Sequence, residues 1–366
     1  MPTKARVAVT PADGRIQIES ILLPDPGPHE ILVRTFATGI CHSQLTDIKN
    51  AEAAGQPMTL GHEATGEVLA VGNEVRAIAP GDRVFVTWLP RDGGPLSRHP
   101  GSPVLARSAG PDAHCNAVFT WADHLLCDEL YAVPFPSDLP TDVTSIIGCA
   151  VMTGSGAVIN TADVQPGESV VVFGAGGVGI CAIVAAAERG ARPIIAVDLD
   201  DAKLEWAKKQ GATHVVNARR TDPVEAIHAI TAAPGKRTIL GTPVSGAHYA
   251  FDCAGGDRIV KQLLPSLIHQ PLGTAERGLA VLVGIVTLPT LEVSPGDIML
   301  SEKGLTGSIG GSSVPARDFP IFCDWVRRGR LDLGSIVTRR FAFDEIASAA
   351  GALDRGEITG RAIVVF

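Results

Sequence analysis

The chain has 366 residues, 45% hydrophobic and 19% charged, with a formal net charge of −8. That composition excludes a disordered chain and gives room for about two domains, each with its own core. The acidic balance argues against a nucleic-acid surface, and no apolar segment reaches the roughly 18 residues of a membrane span. The first residues lack the apolar core of a secretion signal, and seven scattered cysteines suit a reducing compartment better than a disulfide framework. A cytoplasmic protein with no nucleic-acid and no membrane partner is therefore expected.

In chain order, residues 1 to about 150 read as short strands: Val7 to Thr10, Ile16 to Glu19, Ile31 to Ala37, Glu63 to Val71 and Arg83 to Thr87. Turns at Gly14, Asp25-Pro26-Gly27-Pro28 and Pro80-Gly81-Asp82 separate them, which predicts a β-rich, barrel-like domain. Pro90 to about Val118 reads as a long loop, of the kind that is functional or mobile. From about 150 to 310 helical and strand patterns alternate, predicting a doubly wound parallel sheet interrupted by an extra loop over Ala232 to Gly246. The tail reads as a helix near Ala316 to Arg328, a strand near Phe341, a helix near Phe343 to Leu353 and a closing strand Ala362 to Phe366.

One stretch organises the second half. Val170-Val171-Val172-Phe173 runs into Gly174-Ala175-Gly176-Gly177-Val178-Gly179, then a helical pattern, then Ile194-Ile195-Ala196-Val197 and Asp198. Strand, glycine turn, helix, strand and carboxylate are the order a dinucleotide site requires. The glycines permit a tight turn, close approach of backbone N–H groups to a pyrophosphate, and packing of the helix against the strand. Asp198 is placed to accept from the adenosine ribose hydroxyls and to repel a 2′-phosphate, so NAD is expected over NADP. An ordinary tight strand-to-helix turn is the alternative.

Three places outside this unit concentrate metal-type ligands: Cys41-His42, His62-Glu63 and Cys149. Thiolate, imidazole and carboxylate favour zinc. Each also has an ordinary reading: a lone cysteine is more often core than ligand, His42 can be a surface residue, and Glu63 can edge a solvated strand. The spacing between these places is not, by itself, a zinc pattern.

Over essentially its full length the chain resembles the zinc-dependent medium-chain alcohol dehydrogenases. The resemblance is carried by Gly39-Ile40-Cys41-His42-Ser43, Gly61-His62-Glu63-Ala64-Thr65-Gly66, Pro80-Gly81-Asp82-Arg83-Val84, Ile147-Gly148-Cys149-Ala150-Val151-Met152-Thr153-Gly154 and the glycine turn. It implies an α/β fold: a GroES-like catalytic domain over 1–150 that resumes at 310–366, around a Rossmann-type dinucleotide domain over 151–309. It makes Cys41, His62 and Cys149 the zinc ligands, with Glu63 adjacent and binding transiently. Zinc as a Lewis acid would acidify the alcohol, Ser43 would take its proton, and hydride would pass to the nicotinamide. Thr46 stands at the next relay position. Thr153 packs near the nicotinamide, Val283-Gly284-Ile285 lines its carboxamide, and His42 and Arg361 contact the pyrophosphate. Lys203 is placed in the same cofactor set. Trp88 lines the substrate pocket or is a core residue.

Two departures from the family stand out. The zinc lobe normally carries four closely spaced cysteines, whereas Trp88 to Phe119 holds only Cys115, with Asp92, His99 and His114 nearby. One catalytic zinc per subunit and no structural zinc are expected. Gln44 follows Ser43 where a carboxylate is usual, and Thr46 stands where histidine is frequent. The resulting expectation is an NAD-dependent zinc oxidoreductase acting on an alcohol, aldehyde or ketone, as a homodimer or homotetramer. The alternatives are a zinc-free reductase of polarised double bonds and a non-catalytic nucleotide-binding protein.

Overall fold

Short strands broken by proline and glycine bury one apolar face each and can do so only by stacking into sheets. The computed structural model describes residues 2–11, 13–94, 100–269, 271, 273–274, 276–286 and 288–366. Along the first part run β1 (Thr3–Thr10), β2 (Gln17–Leu23), β3 (Glu30–Ile40), helix α1 (His42–Ala54), β4 (Met58–Thr59), β5 (Glu63–Val71) and β6 (Arg83–Thr87). The pieces β7 (Val104–Leu105), β8 (Ala113–His114), β9 (His124–Asp128) and β10 (Ala132–Pro134) follow. Helix α1 lies where no element was expected. Its sequence is mostly polar, so the helix is marked chiefly by its ends: Gln44 reaches back to the Cys41 N–H, and Gly55 closes it at φ 63°.

The second part holds α2 (Ala150–Gly156), β11 (Val170–Phe173), α3 (Gly177–Glu188), β12 (Ile194–Asp198), α4 (Asp201–Lys209), β13 (His214–Asn217) and α5 (Pro223–Ile230). Next come β14 (Ala233–Arg237), β15 (Pro243–Val244), β16 (Tyr249–Asp252), α6 (Asp257–Leu263), β17 (Leu279–Leu282), α7 (Pro295–Ser301) and β18 (Gly304–Gly307). The expected loop at 232–246 is a small antiparallel hairpin of β14 and β15. The tail forms α8 (Pro315–Arg327), α9 (Leu333–Ile336), β19 (Val337–Ala342), α10 (Ile346–Asp354) and β20 (Arg361–Val365).

The chain divides into two compact units, residues 1–149 with 314–366 and residues 150–313. In the first, one sheet runs β2-β1-β4-β8-β7 and the other β10-β6-β5-β3-β20-β19, with β9 also on β3. Strand β20 pairs antiparallel with β3, from Ala362 opposite Ile40 to Val365 opposite Ala37, which brings the tail into the first unit. The core between the strands includes Ile31, Val33, Val84, Val86, Phe119 and Leu125. A second cluster packs Trp121 and Ile40 with Phe343, Ile346 and Leu353 of the tail. Each such large side chain taken from water is worth roughly 1.5–3 kcal/mol.

The second unit is a six-stranded parallel sheet in the order β13-β12-β11-β16-β17-β18. Strand β11 is central and covered on both faces, which is why its four residues are all apolar and buried. Strand order reverses between β11 and β16, the switch point at whose carboxyl end ligands bind in such sheets. Among the described residues no helix is long and apolar enough to cross a membrane.

Candidate functional site

Three glycines let backbone and side chains crowd together at one end of β3. A side chain at Gly39 would meet Glu63 Oε1 at 2.1 Å. Gly61 has φ +94°, and a Cβ there would meet Thr120 Oγ1 and Trp121 N at 2.5 Å, so only glycine allows the turn that presents His62 before β5. A Cβ on Gly148 would lie 2.9 Å from the Val86 carbonyl, and the Gly148 carbonyl accepts from Thr87 Oγ1 at 2.7 Å, fixing the residue before Cys149. Cys41 is the residue between β3 and α1.

These elements gather one ligand atom each from Cys41, His62 and Cys149 within 4.8 Å of one another, the only such trio of acidic, His or Cys ligands among the described residues. The two sulfurs are 4.0 Å apart. The Cys149 thiol donates toward Cys41 and holds the Cys41 thiol well below its usual range, aided by Arg361 and His62. The same bond, with burial, pushes Cys149 well up. Burial opposes charge on His62, but the Cys41 sulfur outweighs it and raises the imidazole. His62 Nε2 is buried with no hydrogen-bond partner, while Nδ1 lies 3.5 Å from Gln44 Nε2. Two cysteine sulfurs and an unmatched imidazole nitrogen, gathered within 4.8 Å, fit a soft divalent metal with a position left for a further ligand.

Glu63 is fully buried and forms an ion pair with Arg361, itself 5% exposed. Burial raises the Glu63 carboxyl despite Arg361. Arg361 is thus engaged by Glu63 rather than presented on the surface. Ser43 Oγ is buried without a partner, and Thr46, one turn along α1, is exposed, as is His42. Trp88 is half-buried and meets His62 edge to face, with ring centroids 6.4 Å apart. Asp47 was not singled out from the sequence: burial raises its carboxyl against the pull of His62, so this carboxylate on α1 sits within electrostatic reach of the trio. Its i+3 spacing from the buried Gln44 was the available signal, obscured because α1 itself was not expected.

Of the residues considered for a second metal, His99 lies outside the described residues. Asp92 is exposed and its carboxylate lies 3.7 Å from Arg91, and His114 is exposed on β8. Cys115 is packed in the core, where burial pushes its thiol up to about 12. Such a thiol behaves as an apolar core residue.

In the second unit Gly174 has φ +91°, and a Cβ on Gly179 would sit 1.8 Å from the Gly174 carbonyl. Helix α3 therefore packs directly on the turn, with Gly176 before it, Gly177 opening it and Val178 half-buried in its first turn. Asp198 Oδ2 accepts the Ala175 N–H at 2.8 Å, while Oδ1 accepts from Leu199 and Asp200 at 2.7 and 3.1 Å. Lys203 is half-buried in the first turns of α4, and Thr153 is half-buried on α2. The Val283 and Gly284 N–H groups donate to the Asp252 carbonyl at 3.0 and 2.8 Å, leaving Ile285 exposed.

The Alcohol dehydrogenase GroES-like domain profile matches residues 27–137, and the Zinc-binding dehydrogenase profile matches residues 177–328. The chain is 30% identical to the alcohol dehydrogenase class-3 of Cereibacter sphaeroides, covering 100% of both chains. It superposes on an alcohol dehydrogenase zinc-binding domain protein from Burkholderia ambifaria with TM-score 0.87 at 30% identity, covering 100% of both. The benzyl alcohol dehydrogenase of Acinetobacter calcoaceticus gives TM-score 0.85 at 30% identity, covering 100% of this chain and 99% of that one. With the GroES-like unit, the parallel nucleotide-type sheet and these matches, the chain belongs to the zinc-dependent medium-chain alcohol dehydrogenase family of oxidoreductases.

Proposed function

We propose that this protein transfers hydride between a small alcohol and NAD, yielding an aldehyde or ketone, with one catalytic zinc held by Cys41, His62 and Cys149. The observation that carries this reading is the convergence of those three ligands around a buried His62 Nε2 that has no other partner. A two-cysteine, one-histidine set with an open position is the alcohol dehydrogenase form of a catalytic zinc site. When bound, the zinc supplies Lewis-acid polarisation of the substrate oxygen.

The chain's own residues do the rest. Ser43, with its buried unpartnered hydroxyl, receives the substrate's proton, and Thr46 on the same helix passes it outward. Glu63 and Arg361 balance charge beside the ligands, with Glu63 the carboxylate available for transient binding. Trp88, packed on His62, presents an apolar wall to the substrate. In the nucleotide unit Gly174, Gly176, Gly177, Val178 and Gly179 form the pyrophosphate turn. Thr153, Lys203 and Val283 to Ile285 complete the NAD contacts. Asp198 anchors the glycine turn and keeps a carboxylate where a 2′-phosphate would lie, which supports NAD over NADP. The core position of Cys115 supports a single zinc per chain. A cytoplasmic homodimer or homotetramer completes the proposal, with no disulfide among the described cysteines.

The test is turnover of primary, secondary and aromatic alcohols with NAD and with NADP. At least one alcohol class should be oxidised with NAD, at an efficiency roughly ten-fold or more above NADP, since a lost charged hydrogen bond and the added repulsion each act in that direction. Equal efficiencies would refute the role of Asp198, and no oxidation of any alcohol would refute the reaction.

A further inference from the structure

Gln44 is 1% exposed and serves two neighbours with one amide. Its Oε1 accepts the Cys41 N–H at 2.8 Å, and its Nε2 faces His62 Nδ1 at 3.5 Å. An amide has one accepting end and one donating end. Because the Cys41 N–H needs an acceptor, the NH2 end is turned to Nδ1, which must offer a lone pair. Neutral His62 then carries its proton on Nε2, the buried nitrogen with no partner.

That arrangement conflicts with ligation. A neutral imidazole that binds a cation through Nε2 carries its proton on Nδ1, and this N–H would point at the NH2 of Gln44, donor against donor. We propose that Gln44 couples metal loading to the tautomer of His62: when zinc binds, the His62 proton resides on Nδ1, and the Gln44 amide turns so that Oε1 accepts it. The Cys41 N–H at the first turn of α1 then loses its acceptor. For the neutral imidazole this is a shift of one proton from Nε2 to Nδ1. A carboxylate in this place would accept both N–H groups at once, so Gln44 is a positioning residue that weakens the hold on zinc relative to an acidic residue. This inference rests on reading Cys41, His62 and Cys149 as the ligands.

The experiment uses the full-length chain stripped of metal, with Zn²⁺ in competition with a chromophoric chelator. Nitrogen-15 spectra of the histidine rings are recorded before and after loading. The unsubstituted protein should show His62 protonated on Nε2 when metal-free and on Nδ1 when loaded. Gln44→Glu should bind zinc roughly ten- to a hundred-fold more tightly, the range typical of groups that support a metal-ligating histidine. It should also hold the Nδ1 proton before any metal is added. A gain in affinity with the metal-free Glu variant still protonated on Nε2 would be a charge effect alone and would overturn the proposal. So would an Nδ1 proton in the metal-free unsubstituted protein, which decides the matter even if the variant fails to fold. Zinc bound with equal affinity by both proteins defeats only the role of Gln44. No zinc bound by either defeats the ligand assignment as well.

Discussion

Glu63 has no exposed surface, and its carboxylate depends on a charged partner. One of its oxygens pairs with Arg361 and the other has no hydrogen bond among the described residues. Removing one member of a buried pair leaves the other charge uncompensated, which costs about 3–5 kcal/mol. Glu63→Ala is therefore expected to lower the unfolding free energy by that amount in denaturant titrations, whereas replacing both residues by apolar ones should cost far less. The residues of this cluster were legible in part. Cys41, His62, Glu63 and Cys149 could be named because their residue types are rare and their flanking motifs resemble a family. That Arg361 would turn inward to Glu63 could not be read, since 298 positions separate them and no local pattern links the two. The tautomer conflict at Gln44 was equally hidden: the sequence showed a missing carboxylate, but not which neighbours the amide must serve.

At the scale of elements, the β11–α3–β12 unit was the most readable part of the chain, because local pattern and long-range packing agree there. Its tolerance is correspondingly low. Gly179→Ala would place a methyl group against the Gly174 carbonyl, which is backbone and cannot swing aside. The helix must shift, at a cost of about 1–3 kcal/mol, the usual range for overpacking. NADH affinity should fall at least several-fold by fluorescence titration, while zinc content stays unchanged because no proposed metal ligand lies in this unit. Loss of zinc with retained NADH binding would contradict the separation of roles. Other elements escaped the sequence reading for physical reasons. Helix α1 has a mostly polar stripe and only Gln44 and Ala51 buried, so apolar periodicity had little to report. Helix α7 spans seven residues and opens with Pro-Gly, and β18 is a four-residue strand bounded by glycines. Both depend on tertiary pairing for their shape.

For the molecule as a whole, stability should depend on pH through a buried amine. Lys303 is 2% exposed, with Nζ donating to the Leu264 carbonyl at 3.0 Å and lying 3.4 Å from Asp297 Oδ1. Burial pushes its pKa below the usual 10.5, and Asp297 only partly offsets this. The folded protein then releases this proton at lower pH than the unfolded chain does. Between those two points the unfolded state binds more protons, so this group's contribution to stability rises with pH. Lys303→Met should remove that rise. The denaturation midpoint of the unsubstituted protein should gain on that of the variant as pH increases from neutrality toward about 10.5, and a constant difference across that range would show that Lys303 is not the responsible group. The division into units follows the same logic of scale. The final strand β20 completes the sheet of β3, so the tail's destination was set by a partner more than 300 residues away; the family resemblance pointed to it, and local sequence alone did not.

The central claim is that hydride transfer to NAD depends on one zinc held by Cys41, His62 and Cys149. It is tested most directly by stripping the metal with a chelator, measuring alcohol oxidation with NAD, and titrating zinc back in. The metal-free chain should still bind NADH but lose roughly a thousand-fold or more in turnover, as expected when several kcal/mol of Lewis-acid stabilisation are withdrawn. Activity should return at about one equivalent of zinc per chain, and Cys149→Ser should neither hold the metal nor recover. Full turnover by the metal-free protein, or zinc retained by Cys149→Ser with normal turnover, would contradict the account.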